Sequence, residues 1–472
     1  MPRQMSRATT DGCRGFHAWQ SLTRREALRI GGLGGVGLGL ADLLRARASV
    51  AADGVRPTFG RAKTVIMMFL HGGHPQQETF DPKPEGPSAV RGEFSAISTS
   101  VPGVQFSEML PRTSGLAHKL AVVRSMSHEN PNHVQACLPA QTGHAHPKAF
   151  RTRGDFPPSA TDFPPVGAVL DAVSPAQGDL PTWVRIGPLM RRGNGTTLHG
   201  QLPGMLGARH SSFVVDQPLM DRDVKIQAIR PNDDLTSIRL SGRRSLLEQF
   251  DRERGLIDEV AGARNLDSFY QRAFNLLSSS RTRNAFALAS EKAALRDRYG
   301  KTEFGQRCLL ARRLAEAGVP LVNISYCHTP RGSWDTHSSN FSKMKTSLAP
   351  TLDQSLTALI EDLEERGMLD ETLVVVNAEF GRTPKINARS GRDHWPWVYS
   401  LAMAGAGARG GAVHGASDDS AAYPASNPHD PGDFVATLYH LLGVPADTTI
   451  TDAAGRPHHV INGQPIWPLM DA

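Results

Sequence analysis

Cysteine is scarce. Of four in 472 residues, only Cys137, Cys308 and Cys327 lie beyond residue 50. An odd number with no C-x-x-C spacing excludes a disulfide-stapled scaffold and a thiolate-ligated zinc. Stability must come from a packed core, which a chain of this length can bury. Long apolar runs are missing too: residues 30–44 are broken by glycines and Asp42, and fall short of the roughly 20 residues of a stable transmembrane helix. The body also lacks an excess of either charge. Of the net charge of +6, +5 resides in residues 1–50, where eight arginines face only Asp11, Glu26 and Asp42, leaving +1 for residues 51–472. That balance excludes nucleic acid as a partner on electrostatic grounds.

Several catalytic templates are absent as well. No G-x-S-x-G elbow occurs, so a serine hydrolase of that type has no nucleophile. The stretch His128-Glu129-Asn130-Pro131-Asn132-His133 misses the H-E-x-x-H spacing and carries a helix-breaking proline. Gly300-Lys301-Thr302 imitates the end of a P-loop, yet Leu295 stands where its first glycine belongs. Gly32-Leu33-Gly34-Gly35-Val36-Gly37 matches G-x-G-x-x-G but follows no strand. Neither a fixed-period repeat nor the composition of a disordered, collagen-like or coiled-coil chain is present, with 39% hydrophobic and 21% charged residues.

What is present begins with an address. Arg24-Arg25 precedes the broken apolar run, and Arg45-Ala46-Arg47-Ala48 offers small residues at an A-x-A spacing. These are the parts of a twin-arginine signal. Residues 1–50 are therefore expected to be a signal and linker, with the twin-arginine export machinery as partner and a periplasmic or secreted location. Such export carries folded proteins, often with a metal or other prosthetic group in place.

Residues 60–472 are expected to form one α/β domain. Unbroken apolar runs at 64–70, 321–326, 372–376 and 398–403 predict strands buried on both faces of a mostly parallel central sheet flanked by helices. Leu352, Leu356, Leu359, Ile360 and Leu363 share one helical face, with Gly367 as the stop. Residues 240–317 have a helical period and predict a helical insertion, including helices at 283–299 and 305–317.

In open parallel sheets the working groups collect at the carboxyl ends of strands. Four places meet that rule: His71, His74, Glu78 and Asp81 after the first strand; Asp335 and His337 after the second; Glu379 and Arg382 after the third; and Arg392, Asp393 and His394 just before the last. Imidazoles and carboxylates form the ligand set that suits zinc, manganese or iron. Asp81 is expected to organise the turn before Pro82.

With these residues in view, the chain resembles an exported family, domain of unknown function 1501, within the alkaline phosphatase and sulfatase superfamily. The likeness rests on Gly72-Gly73, on Asp81-Pro82-Lys83-Pro84, on Trp334-Asp335-Thr336-His337, on Glu379-Phe380-Gly381-Arg382-Thr383, and on Gly391-Arg392-Asp393-His394. Residues 359–383 are similar to the sulfatase passage of helix, strand and metal-binding Asp, with Glu379 at the Asp position. Cys137–Gly143 looks like the end of the sulfatase nucleophile helix, and that spacing brings His133 to the nucleophile position. The chain departs from the superfamily at His71, His133 and Phe380. The resemblance implies a metal-dependent hydrolase of phosphate or sulfate esters, acting on an anionic ester or polysaccharide. The alternative is an altered relative that binds such a partner without turnover. A divalent metal, zinc or manganese, is the implied cofactor. Asp335, His337, Glu379, His394 and His71 are the implied ligands, His133 and Arg382 the catalytic groups, and Glu78 and Arg392 the substrate-binding pair.

Overall fold

A strand that is apolar after its first residue must be covered on both faces, and the central strand meets that demand. β1 (Thr64–Phe69) is buried at every position. Ile66 and Met68 enter one apolar cluster while Val65, Met67 and Phe69 enter another on the opposite face, as the two-residue side-chain alternation of a strand requires. The computed structural model describes residues 57–150, 153–176, 179–221, 223–226, 279–326 and 334–471. The expected signal at 1–50, residues 240–278 and Cys327 lie outside them.

β1 joins seven more strands: β2 (Leu120–Met126), β3 (Trp183–Ile186), β4 (Phe213–Val215), β5 (Leu321–Ser325), β6 (Thr372–Asn377), β7 (Tyr399–Ala404) and β8 (Val413–His414). Their order is β8-β2-β7-β6-β1-β5-β3-β4. The pairings of β1 with β5 and β6, of β3 with β4 and β5, and of β2 with β8 are parallel. β7 pairs antiparallel with both β6 and β2, so it is the one reversed strand in a mostly parallel sheet.

Helices form a layer on each face: α1 (His133–Thr142), α2 (Val166–Val173), α3 (Ser280–Ala285), α4 (Ala293–Tyr299), α5 (Glu303–Ala317), α6 (Ala349–Glu365) and α7 (Pro431–Leu441). Leu309 and Leu310 of α5 and Leu352, Leu356 and Leu359 of α6 pack on the face carrying Ile66. Val134 and Cys137 of α1, Val169 of α2, and Phe434 and Leu438 of α7 cover the other. No helix of the described residues is long and apolar enough to cross a membrane.

The four expected strands are β1, β5, β6 and β7, shifted by a residue or two at their ends. The helix expected around Leu352–Leu363 is α6, and Gly367 follows it at φ +67°. β2 and β3 escaped notice because Arg124 and Arg185 interrupt their apolar runs. The single helix expected at 283–299 is broken instead, into α3, one turn at Leu288–Ser290, and α4. The break buries Phe286 and Leu288 and brings Glu291 to Arg312 and Arg313. α5 contacts α6, β5 and β1, which makes it part of the sheet's flanking layer.

Arg312 of α5 is fully buried. It pairs with Glu291 and Glu316, and its Nε lies 3.0 Å from Asp362 Oδ2 on α6. Without Arg312, Asp362 keeps Arg366 and Tyr299 and Glu291 keeps Arg313, so the loss is that of charged hydrogen bonds, about 1.5–3 kcal/mol. Arg312→Met is expected to lower the unfolding free energy by that amount, seen as a lower denaturant midpoint with no change in slope. A loss below about 1 kcal/mol, the level of a solvent-screened surface pair, contradicts it.

Candidate metal centre

β1, β5 and β6 end level with one another, since Phe69 pairs with both Ser325 and Asn377. Met126 at the end of β2 faces Tyr399 at the start of β7. One rim therefore receives the segments leaving β1, β2, β5 and β6 and the segment entering β7. That reversal brings Asp393 and His394, which precede a strand, to the same rim as groups that follow one. His71 arrives from β1, Asp335 and His337 from β5, and Glu379 from β6. His133 is the first residue of α1 after β2, and the helix is capped there by Asn132, whose side chain accepts from Val134 N at 2.8 Å.

Close main-chain approach makes this convergence possible. Gly72 has φ +109°, and a Cβ there would stand 2.3 Å from Asp335 N. A Cβ on Gly73 would meet Phe380 O at 2.6 Å, and one on Gly391 would meet His337 C at 2.2 Å. Each distance is impossible for a real side chain, so all three glycines are required by contact, and Gly72 and Gly73, at φ +109° and +83°, by conformation as well.

His133 lies at the middle. Its Nδ1 is 2.7 Å from Glu379 Oε1, which also accepts from Gly72 N at 2.8 Å. Its Nε2 stands 3.4 Å from Asp335 Oδ1. The same Asp335 oxygen lies 3.1 Å from His394 Nε2, 3.1 Å from His337 Nε2 and 2.8 Å from Arg382 Nη2. Two overlapping groups have ligand atoms within 4.8 Å of one another: His71, His133 and Glu379, and His133, Asp335 and His394. His133 belongs to both.

Three polar atoms here are buried without a hydrogen-bond partner: His71 Nδ1, His133 Nε2 and Glu379 Oε2. Orphaned buried groups of this kind cost free energy and call for an occupant. Imidazole and carboxylate donors fit a divalent ion such as zinc or manganese. The buried depth is formed by His71, His133 and Glu379, while Asp335, His337 and His394 retain 21%, 34% and 15% of their side-chain exposure.

Burial holds His71 and His394 near a pKa of about 4, so both are neutral at pH 7 with lone pairs available. For His133 the burial penalty is outweighed by hydrogen bonds to Asp335 and Glu379, and its pKa rises. Glu379 and Asp335 are both shifted down, because their histidine contacts outweigh burial. His337 rises, chiefly through its contact with Asp335.

Several expected roles change with this geometry. Glu78 and Arg392 do not face a ligand. They pair with each other at 2.5 Å, both fully buried, and Arg392 also donates to the carbonyls of Thr383, Pro384 and Val90. Arg382 is fully buried with its donors committed to Gly73 O, Gly72 O, Arg392 O and Asp335. Four of its five N–H groups are spent in this way, and it positions Asp335. His133 is buried between carboxylates: Nδ1 is held by Glu379, and the unpartnered Nε2 points toward Asp335, so the ring is enclosed among the candidate ligands. His337 lies beside the two ligand groups, its Nδ1 held 2.6 Å from Asp393 Oδ1. Asp81 pairs with Lys83 and Ser417, as expected of a turn organiser. Phe380 packs against both His133 and His394, with centroids at 4.8 and 4.7 Å.

Two supporting residues escaped the sequence reading. Gln76 grips the main chain of Arg382 by both amide atoms, each at 3.0 Å. The ring of His128 lies 2.7 Å from Glu379 O through Nε2. Only tertiary contact reveals either.

The fold and this site define an α/β protein with a histidine–carboxylate centre on the C-terminal rim of its sheet. The chain belongs to the family described as "Protein of unknown function (DUF1501)", whose profile matches residues 62–470. No curated protein matches it. Among solved structures it is similar to Ps i-CgsB in complex with k-i-k-neocarrahexaose, at 10% identity and TM-score 0.40, over 86% of this chain and 75% of that one. The PsFucS1 sulfatase from Pseudoalteromonas sp. gives 15% identity and TM-score 0.38, over 84% and 72%. The phosphonate monoester hydrolase SpPMH from Silicibacter pomeroyi gives 10% and 0.40, over 86% and 76%. Likeness at this level fixes neither substrate nor chemistry.

Four histidines around the site, His71, His74, His128 and His394, are each held near a pKa of about 4 by burial. Their folded values lie below the unfolded 6.5, so the unfolded chain binds more protons between these limits, and stability falls as pH drops. Calorimetry from pH 7 to pH 4 is expected to show a falling melting temperature, with net proton uptake on unfolding near pH 5. A flat profile over that window contradicts these assignments.

Proposed function

We propose that the chain is an exported, divalent-metal-dependent hydrolase of phosphate or sulfate esters, with an anionic ester or polysaccharide as substrate. The observation that carries this reading is the meeting of His71, His133 and Glu379, each with a buried lone-pair atom lacking a partner. Asp335 and His394 extend the set toward solvent. The motif register shared with the alkaline phosphatase and sulfatase superfamily supports ester hydrolysis over other metal chemistry.

A bound ion supplies Lewis-acid polarisation of an ester oxygen. Glu379 would hold it from the buried side and Asp335 from the open side, with neutral His71 and His394 completing the set. Arg382 keeps Asp335 ionised and aimed. His337 is pinned by Asp393, is the most exposed group of the cluster, and has a raised pKa. The contacts with Asp335 and Asp393 favour its protonated form, which suits Nε2 to deliver a proton to a leaving oxygen as general acid.

A second reading has one observation in its favour. Phe380 packs against both His133 and His394 at the position where superfamily register expects a ligand, which suits a module that binds an anionic partner without turnover.

Aryl phosphate and aryl sulfate assays separate the two readings. The hydrolase is expected to lose activity to a chelator and to regain it with zinc or manganese. Asp335→Ala is expected to lose metal and activity together. His337→Gln is expected to retain metal, lower kcat by about 10²–10⁴-fold as for a lost general acid, and flatten the alkaline limb of the pH profile. Fully metal-loaded protein that releases neither product favours the binding module.

Export is tested separately. Residues 1–50 fused to a folded reporter are expected to direct it across the membrane by the twin-arginine route, and Arg24→Lys with Arg25→Lys is expected to stop it. Unchanged export of the double variant overturns that part of the proposal.

A further inference from the structure

Between α1 and α2 the chain runs from Gly143 to Pro165, and among its described residues only the single turn Lys148–Phe150 is regular. Loops beyond about 12–15 residues without secondary structure are uncommon in compact domains and need something to hold them. Two side chains of this loop, His146 and Asp162, meet His199, which comes from the segment after β3. Each offers one ligand atom within 4.8 Å of the others. His199 and Asp162 are buried, and His146 is half-buried.

The hydrogen bonding of His199 leaves a gap in the proton inventory. Its Nε2 lies 3.0 Å from Phe156 O, which can only accept, so Nε2 carries the hydrogen. Its Nδ1 stands 2.5 Å from Asp162 Oδ2. A neutral ring would then point a lone pair at a carboxylate. Such a pair is held together by a proton between its atoms or, with the two drawn apart to admit bonds of about 2.0 Å each, by a metal ion.

His146 decides between these. Its Nε2 is buried and has no partner, and its ring meets that of His199 edge-on with centroids 4.5 Å apart. A proton on His199 leaves that nitrogen orphaned; a metal ion uses all three donors. Asp162 is already oriented for the task, since Ser159 N and Oγ donate to its two oxygens at 3.2 and 3.1 Å.

We propose that His146, Asp162 and His199 form a second divalent-metal site, with two imidazoles and one carboxylate as donors and zinc as the best-suited ion. Its work is structural. His199 N donates to Val134 O of α1 at 3.3 Å. Asp155 of the same loop accepts from Asn132 Nδ2, the cap of α1, at 3.0 Å. An ion here clips the loop to the first turn of the helix that begins with His133, closing a long loop at low entropic cost. The site stands whether or not the first centre turns over esters.

The test uses the full chain, stripped of metal and reloaded with zinc alone. His146→Phe keeps an aromatic ring beside Phe150 and Phe156 while removing the donor. It is expected to bind one equivalent less zinc than wild type by elemental analysis, and to be cut faster by protease within the loop. In the Asp335→Ala, His394→Ala background one equivalent is expected to remain, and adding His146→Phe is expected to remove it. Should His146→Phe fail to fold, Asp162→Asn serves with the same readout. Equal zinc content with and without the His146 or Asp162 substitution overturns the proposal. Because metal is counted directly, this failure is distinct from absence of ester hydrolysis.

Discussion

A single buried imidazole between two carboxylates is the constraint around which the rim of this protein is arranged. Glu379 and Asp335 approach His133 from opposite sides, with contacts of 2.7 and 3.4 Å. Two carboxylates so close in a dry place repel each other and are poorly solvated, so the fold must supply positive charge there. Arg382, 2.8 Å from Asp335, supplies part of it. The unpartnered atoms of His71, His133 and Glu379 mark where a divalent ion completes the balance. The glycines at 72, 73 and 391 matter for the same reason: they let main chains from three strand ends touch, so that short side chains can meet.

Buried arginines organise this region without facing solvent. Arg382 and Arg392 are both fully buried and spend their donors on main-chain carbonyls as well as on one carboxylate each. A guanidinium held in this way fixes the path of a loop, since every carbonyl it binds would otherwise be left unsatisfied. The Gly-Arg-Asp-His segment divides its labour accordingly. Gly391 allows contact with His337, Arg392 anchors the loop to Glu78, Asp393 orients His337, and His394 enters the cluster. Glu379-Phe380-Gly381-Arg382 works similarly, with a ligand, a packing ring, a close approach and an anchor.

The central strands and their two-sided burial were legible because uninterrupted apolar runs leave few alternatives. β2 and β3 were hidden because one arginine apiece breaks the pattern, although the fold buries those positions wholly or in part. The candidate ligands were legible as residue types at strand ends. Which neighbouring polar residue is a ligand and which an anchor was not, because that depends on partners hundreds of positions away: Arg392 looks as suited to an anion as any arginine until Glu78 is found against it. His146, Asp162 and His199 gave no sequence signal at all, being scattered through irregular segments.

The amino-acid order by itself determined an α/β chain with an apolar parallel core, a histidine–carboxylate set near strand ends, and a body close to neutral in charge. Those properties follow from local periodicity and composition. The tertiary structure alone decided that β7 runs backwards and carries His394 to the working rim. It also decided that His133 is enclosed rather than free, and that two arginines act as anchors. Strand direction, burial and hydrogen-bond partnership are relations between distant segments, and a local pattern carries no record of them.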